Sequence, residues 1–468
     1  MIRTTTALLA AALVTAGCGG HPAPRAPDGG SAGGATSDAG SPDAGRGCVP
    51  PQSFPATGFF RVAETCGRPL LVDPQGRPFF SFGVNHVSWN GDVAQATGRS
   101  AYHDAVLARY GTEDAWAKAT AGRLAAWGWN TAGAWSSDAM GQLMPYTFIL
   151  NLSGENGESE VIPDFYDPAW QAAVGKAAAS GTAGRVDDPN LVGYFLDNEL
   201  NWGPNTFGTE DLFDHFLALP ASAPGKQALV ALVEGLHHDD IADFDQAWGQ
   251  SFTSFADLAA ATRLPRATSA AALADRSAFV LAAARRFFQV TTGAVRADDP
   301  NHLVLGVRFI AVFAPREVAE AAGEYCDVVS VNDYELIVPQ SSLYPPGEWG
   351  LVDVSAGPCL EDFWRAGGKP VLVSEFGWRA ADSGLPNNWP PIYPTLATQA
   401  DRADRFEAFA KSCLASPWIV GYHWFEWADE PASGRFDGED DNWGLVNEAD
   451  DPYTTVTSRT AAVNVWAP

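Results

Sequence analysis

Positive charge is what this chain has least of. Its 468 residues carry 29 Lys and Arg against 56 Asp and Glu, a formal charge of −27 at pH 7. That balance argues against nucleic acid, anionic membrane surfaces and strongly acidic polymers as partners, and leaves neutral molecules as the fitting class. Cysteine is scarce as well: the six residues include no CxxC pair, and the adjacent His237 and His238 would point to different sides of a helix, so no zinc site is expected. Residues 19–47 contain no Val, Ile, Leu, Phe, Tyr or Trp. With nothing to offset the entropy of ordering, that stretch reads as a disordered linker.

What precedes the linker is an export signal by pattern. Arg3 supplies the positive start and Ala7 to Val14 an apolar run too short to span a bilayer. The small residues Thr15, Ala16 and Gly17 before Cys18 are similar to a bacterial lipoprotein cleavage site, with Thr15 where Leu is usual. Residues 1–18 are therefore expected to be a signal peptide of lipoprotein type, and a lipid on Cys18 is the membrane contact expected. The protein would be exported, as a cell-surface or outer-membrane lipoprotein or in secreted form. An exported chain permits disulfides, and Cys48 and Cys66, which flank the start of the folded part, are the expected pair. Cys326, Cys359 and Cys413 leave at least one free thiol.

The chain as a whole is 46% hydrophobic, with 17 Trp, 26 Phe and 11 Tyr, enough to bury a sizeable core and leave aromatic surface for a binding cleft. From Pro78 onward, short β-rich runs alternate with helical stretches, the pattern of a parallel sheet with crossover helices. Eight such runs are found, 79–87, 128–135, 146–152, 191–199, 302–309, 326–334, 370–376 and 419–425. Eight is the count of a (β/α)8 TIM barrel, an α/β fold. Amphipathic helices stand between them, as in AWAKATAGRLAAWG, WQAAVGKAAAS and RADRFEAFAKSCLAS. The connection of about a hundred residues after the fourth run is longer than a barrel needs, and its content, including Asp275 to Val295, is helical. A helical insertion at about 203–298 is expected there. No internal repeat or separate binding module is visible.

In such a barrel the strands' C-terminal ends surround one mouth and supply the functional groups. The polar tips are Asn85 and His86, Trp135, Asn198 and Glu199, Arg308, Asn332 and Tyr334, Glu375, and His423 and Trp424. A single Glu at a strand end is more readily a wet strand tip or a structural ion pair than a functional group. Two of them, Glu199 on the fourth strand and Glu375 on the seventh, fit the two opposed carboxylates of glycoside hydrolysis.

The Asn198-Glu199 pair and Glu375 in VLVSEFGW resemble clan A of the retaining glycoside hydrolases. Within it the runs RLAAWGWNTAGAW, GYFLDNELNWG, SEFGWRAADSGLPN and GYHWFEWADEPASGRFDGEDDNWGLVN look like β-agarases of family 50 and β-galactosidase-like enzymes of family 42. The resemblance spans about residues 78 to 455. It implies that 48–468 form one catalytic domain, with Glu199 as acid/base, Glu375 as nucleophile, Asn198 on the sugar 2-OH and Tyr334 holding the nucleophile. The carboxyl groups would then lie about 5–5.5 Å apart.

Other positions carry two readings each. Asn85, His86 and His423 either bind hydroxyls or are satisfied structural groups. Asn332 is a tip residue placed on the substrate side. Trp135, Trp378, Trp424 and Trp427 divide between stacking platforms and core. Arg308 either orients a carboxylate across the mouth or pairs with one structurally. The acidic stretch Asp437 to Asn442 lacks the spacing of a calcium loop, so neither metal nor cofactor is expected. The function expected is an exported retaining β-glycosidase acting on a neutral poly- or oligosaccharide by double displacement, with β-galactosidic, agarose-type linkages leading. The alternatives are a β-mannanase, β-glucanase or transglycosylase of the same clan, or a non-catalytic glycan-binding lipoprotein.

Overall fold

A computed structural model describes residues 51–153, 162–203, 210–311, 314–335 and 360–466. The expected signal peptide, linker, Cys18, Cys48 and Cys359 lie outside the described residues, so the Cys48–Cys66 pairing and the lipid anchor remain expectations. Cys326 and Cys413 are free and buried.

The chain opens with a small antiparallel sheet of β1 (Arg61–Thr65), β2 (Arg68–Val72) and β3 (Pro78–Phe79) that the sequence reading had not assigned. Thr65 pairs with Arg68, so Cys66 and Gly67 form a two-residue turn, both with positive φ (54° and 70°). That geometry matches the right-handed twist of the flanking strands.

The main sheet is parallel and takes its segments from the eight expected runs: β4 (Ser81–Val84), β5 (Thr131–Ala132), β6 (Tyr146–Ile149), β7 (Leu191–Phe195), β8 (Leu303–Val304), β9 (Phe309–Ile310), β10 (Val329–Asn332), β11 (Val371–Phe376) and, after the two-stranded pair β12 (Arg379–Ala380) and β13 (Thr395–Leu396), β14 (Ile419–Trp424). Its order is β8-β7-β6-β5-β4-β14-β11-β10-β9. Nine segments arise from eight runs because the fifth is broken: β8 pairs with β7 at one end of the sheet and β9 with β10 at the other. Only residues 305–308 separate them, with Gly306 at φ +91° and Arg308 at φ +54° where the run bends. The sheet is thus a curled parallel one, compatible with a TIM-like α/β fold.

Helices lie between the segments where the amphipathic stretches predict them. Glu113–Ala126 starts on the Thr112 side chain, Pro168–Thr182 has Asp167 as its cap and Pro at the first turn, and Gln399–Ala415 begins with a capping box of Thr398 and Asp401. Among the described residues between β7 and β8 stand five helices, Leu212–Ala218, Pro224–Leu236, Ile241–Trp248, Phe255–Ala260 and the 29-residue Ala270–Asp298. The last packs on Pro168–Thr182 and Arg316–Tyr325.

Five strands, β6, β7, β8, β11 and β14, contribute Ile149, Val192, Phe195, Leu303, Leu372 and Val420 to one buried cluster, joined by Ala134, Leu305 and Val328 beside the strands and by Phe60 and Leu71. This packed cluster is why the strands hold their ends at fixed positions. Gly83 serves a neighbouring need: a Cβ there would lie 2.2 Å from His423 Cδ2, so only glycine lets the His423 ring pack beside β4.

Candidate active site

Ten non-glycine residues among those described have positive φ, and five of them follow or precede strands of the main sheet: His86 after β4, Trp135 after β5, Asn151 after β6, Glu199 after β7 and Arg308 before β9. Such conformations cost on the order of 1–3 kcal/mol each and persist where the surroundings enforce them. Their concentration at one set of strand ends marks that end as the site. The pocket there has a volume of about 360 Å³ and is lined by His86, Trp135, Asn198, Glu199, Tyr334 and Glu375 from the expected set.

Glu375 ends in a fixed cradle. The Arg308 guanidinium donates to its Oε1, and the Tyr334 hydroxyl donates to Oε2 at 2.8 Å. Both oxygens accept, the pattern of a carboxylate rather than of an acid, which must donate. Tyr334 stays a donor, because burial and the Glu375 charge raise its hydroxyl well above the ordinary tyrosine value. Arg308 reaches further: its Nε donates to Asn198 Oδ1 at 2.8 Å, so one buried guanidinium aligns the nucleophile candidate with the residue beside Glu199.

Asn332 performs the matching task for Glu199. Its Nδ2 donates to Glu199 Oε1 at 2.7 Å and to Asn198 Oδ1 at 3.4 Å, while its Oδ1 accepts from Ser374 Oγ at 2.7 Å. Asn332 of β10 pairs in register with Glu375 of β11, which places this amide between the two carboxylate-bearing strands. The two Glu residues are thereby joined through side chains that leave few alternative rotamers.

Several expected residues stand behind the pocket rather than in it. Asn85 is buried and ties strands together, donating to Ser374 O at 2.8 Å and accepting from Ala134 N at 3.0 Å. His423 lies 2.9 Å from Ser81 Oγ, and burial together with Arg308 lowers it to about 3, so it is a neutral packing group. The reading of Trp378, Trp424 and Trp427 as sugar platforms is corrected to packing. Their indole N–H groups donate inside the protein, to Glu335 at 3.0 Å, Trp443 O at 2.9 Å and Tyr102 at 2.6 Å, and none of the three lines the pocket. Trp135 does line it, with the Arg308 guanidinium 4.6 Å from its ring.

The pocket also contains groups that sequence reasoning missed: Asp92, Asn151, Tyr393, Phe425, Arg435, Phe436, Glu439 and Trp443. Five of them lie in the run from Gly421 to Asn447, where the density of aromatic and acidic residues was the available signal. Several acids of that run pair with arginines: Asp437 and Glu439 with Arg435 at 3.0 and 2.6 Å, and Asp441 with Arg379 at 2.7 Å.

Among the described residues, His86, Asp92 and Glu426 bring ligand atoms within 4.8 Å of one another, the grouping that could hold a cation. Here it is an ion-pair network. His86 Nδ1 lies 2.5 Å from Glu426 Oε2 and 3.6 Å from Asp92, and Arg435 lies 4.0 Å from Asp92. Burial pulls the imidazolium down, but Asp92 and Glu426 outweigh it and carry it from 6.5 up to about 9. A raised basic group contributes stability that is whole below its unfolded value and is lost as pH rises through the folded one. The stability difference between wild type and His86→Asn is therefore expected to narrow as pH is raised from 6.5 to 9, measured by denaturant unfolding. A gap that stays constant across that interval would show His86 to be uncharged.

No family model matches the chain. β-Agarase A of Vibrio sp. (strain JT0107) is 28% identical over 88% of this chain and 47% of its own length, and β-agarase B of the same strain is 26% identical over 87% and 48%. The solved structure of an agarase, AgWH50C, superposes with a TM-score of 0.75 at 25% identity, covering 87% of this chain and 65% of that one. An exo-β-agarase structure gives 0.75 and 25%, covering 88% and 65%.

Its relatives are β-agarases. The resemblance read from the sequence thus agrees with relatives found both by sequence and by fold. The chain spans about half the length of the curated agarases it matches.

Proposed function

We propose that this chain is a glycoside hydrolase that cleaves β-galactosidic linkages of a neutral, agarose-type polysaccharide or its oligosaccharides with retention of configuration. The carrying observation is that Glu375 lines the same pocket as Glu199 while accepting from both Arg308 and Tyr334. In this reading the Glu375 carboxylate attacks the anomeric carbon. As the C–O bond breaks, the Glu199 carboxyl gives its proton to the leaving oxygen. Glu199, now ionised, takes a proton from water, and the resulting oxygen attacks the anomeric carbon to release Glu375. Asn198 hydrogen-bonds the 2-OH, and Asn332 and Tyr334 position the two carboxyls. The excess of acids over bases around the pocket suits an uncharged glycan.

The same reading counts β8 and β9 as one bent strand of a (β/α)8 barrel and takes the helical connection of about 203–298 as an insertion with its crossover helix. Export, with a lipid on Cys18, belongs to the proposal on the pattern of residues 1–18 alone. The test is hydrolysis of a panel of aryl β-glycosides and neutral oligosaccharides, agaro-oligosaccharides included, with the product anomer read by NMR in the first minutes. Turnover of agaro-oligosaccharides with a β product is expected. Turnover confined to mannan or glucan substrates, or an α product, would overturn the linkage or the mechanism respectively. Glycan binding with no turnover at all would assign the cleft to recognition.

A further inference from the structure

We infer that Phe436 and Trp389 form an aromatic ledge at the rim of the pocket, which stacks on a pyranose ring of a neutral glycan beyond the rings at the cleaved bond. This rests on the glycosidase reading and adds a subsite to it.

Phe436 is 72% exposed and Trp389 is 49% exposed, unlike most aromatic residues of the chain. Single exposed apolar residues are ordinary on protein surfaces, so exposure alone means little. What distinguishes Phe436 is how firmly it is held out. Gly438 N donates to Arg435 O at 3.0 Å and Arg435 N to Glu439 O at 2.9 Å, closing a tight turn with Phe436 at its second position. Gly434 and Gly438 flank it at φ +82° and +93°, conformations that glycine adopts without strain.

The turn is clamped from beneath. The Arg435 side chain is only 12% exposed; its guanidinium lies 5.6 Å from the ring centres of both Phe425 and Phe436 and pairs with Glu430, Asp437 and Glu439. Gln95 N donates to Gly434 O at 2.8 Å, and Asn388 N to Asp440 Oδ1 at 2.7 Å. The second bond draws the segment bearing Trp389 to this loop, and a Cβ on Gly438 would sit 3.8 Å from Trp389 Cδ1. An apolar ring held rigidly in water contributes little to folding, but it binds a flat partner with little further loss of freedom.

The occupant follows from position and charge. Phe436 lines the pocket that contains Glu199 and Glu375, so the ledge is continuous with the proposed catalytic site. Acidic groups of the turn surround it, and its one guanidinium is already paired, which disfavours sulfated or carboxylated chains. A neutral pyranose offers a face of axial C–H groups that matches an aromatic ring.

The experiment measures calorimetric affinity of agaro-di-, tetra- and hexasaccharide for Glu375→Gln, alone and combined with Phe436→Ala, Phe436→Tyr or Trp389→Ala, beside wild-type turnover of the same sugars. Phe436→Ala and Trp389→Ala are expected to weaken binding by roughly three- to tenfold on the longest chain, with a loss that grows with length, and Phe436→Tyr to restore it. A loss equal at every length, or none, overturns the ledge, as does failure of the Glu375→Gln protein to bind any of the three. Length-dependent losses without wild-type turnover would overturn the reaction proposed above and uphold the ledge.

Discussion

Glu375→Gln should abolish turnover, by roughly 10⁴-fold or more in kcat, with the fold intact. The amide is the same size and can still accept from Arg308, so packing is preserved, but it cannot form the glycosyl ester. Glu199→Gln should cost less, roughly 10²- to 10⁴-fold, because only proton transfer is lost. That loss should shrink on aryl glycosides whose leaving group needs no proton. Azide separates the roles further: with Glu199→Gln it should attack the glycosyl-enzyme and give a β-glycosyl azide, whereas with Glu375→Gly, which clears the nucleophile's place, it should displace the leaving group directly and give the α anomer. Interchanged products would reverse the assignment of the two residues. More than about 1% of wild-type activity in Glu375→Gln would remove it from the reaction, given the barrier a nucleophile is asked to lower.

The pair itself was legible because each Glu stands at the end of an apolar run, a place where a charge is costly unless something uses it. Asn198, Tyr334 and Arg308 were legible for the same reason, and they meet at Glu375 and Glu199. What the sequence could not separate was which polar tips face the cavity and which face the core. Asn85 and His86 are consecutive, yet Asn85 joins strands while His86, turned by its positive φ, lines the pocket. Trp424 and Trp427 look no different from Trp135 as letters. Burial decides between them: Trp424 packs against Phe406 of Gln399–Ala415 at 5.9 Å, while Trp427 is covered by residues some three hundred positions away, stacking on Trp127 at 5.7 Å and donating to Tyr102.

Fold was read in a similar way, well where periodicity spoke and poorly elsewhere. The eight runs predict the parallel segments because buried parallel strands are continuously apolar. The break between β8 and β9 has no such signal; it follows from closing a curved sheet, where the fifth run must meet β7 and β10 in turn. The small antiparallel sheet escaped because its turn is Cys66-Gly67 rather than Asn-Gly, and because Arg61, Glu64 and Arg68 dilute its apolar pattern.

Arg308 is where fold and proposed chemistry are most tightly bound together, and Arg308→Met should damage both. Removing one partner of a buried ion pair typically costs about 3–5 kcal/mol, since the other charge is left uncompensated. Glu375 is buried, with 5% of its surface exposed, so its carboxylate would be that charge. Turnover should fall as well, roughly 10²-fold, because Asn198 and Glu375 lose the group that aligns them. Arg308→Lys is expected to recover part of the stability and little of the activity: an ammonium can neutralise Glu375 but cannot also reach Asn198 as the planar fork does. The cycle with Glu375→Gln tests the cause. If the instability of Arg308→Met comes from the stranded carboxylate, adding Glu375→Gln should return most of it, and the two changes will be far from additive. Additive losses in denaturant unfolding would mean that Arg308 stabilises the protein through its stacking on Trp135 and Phe195, at 4.6 and 4.8 Å, rather than through the charge it neutralises.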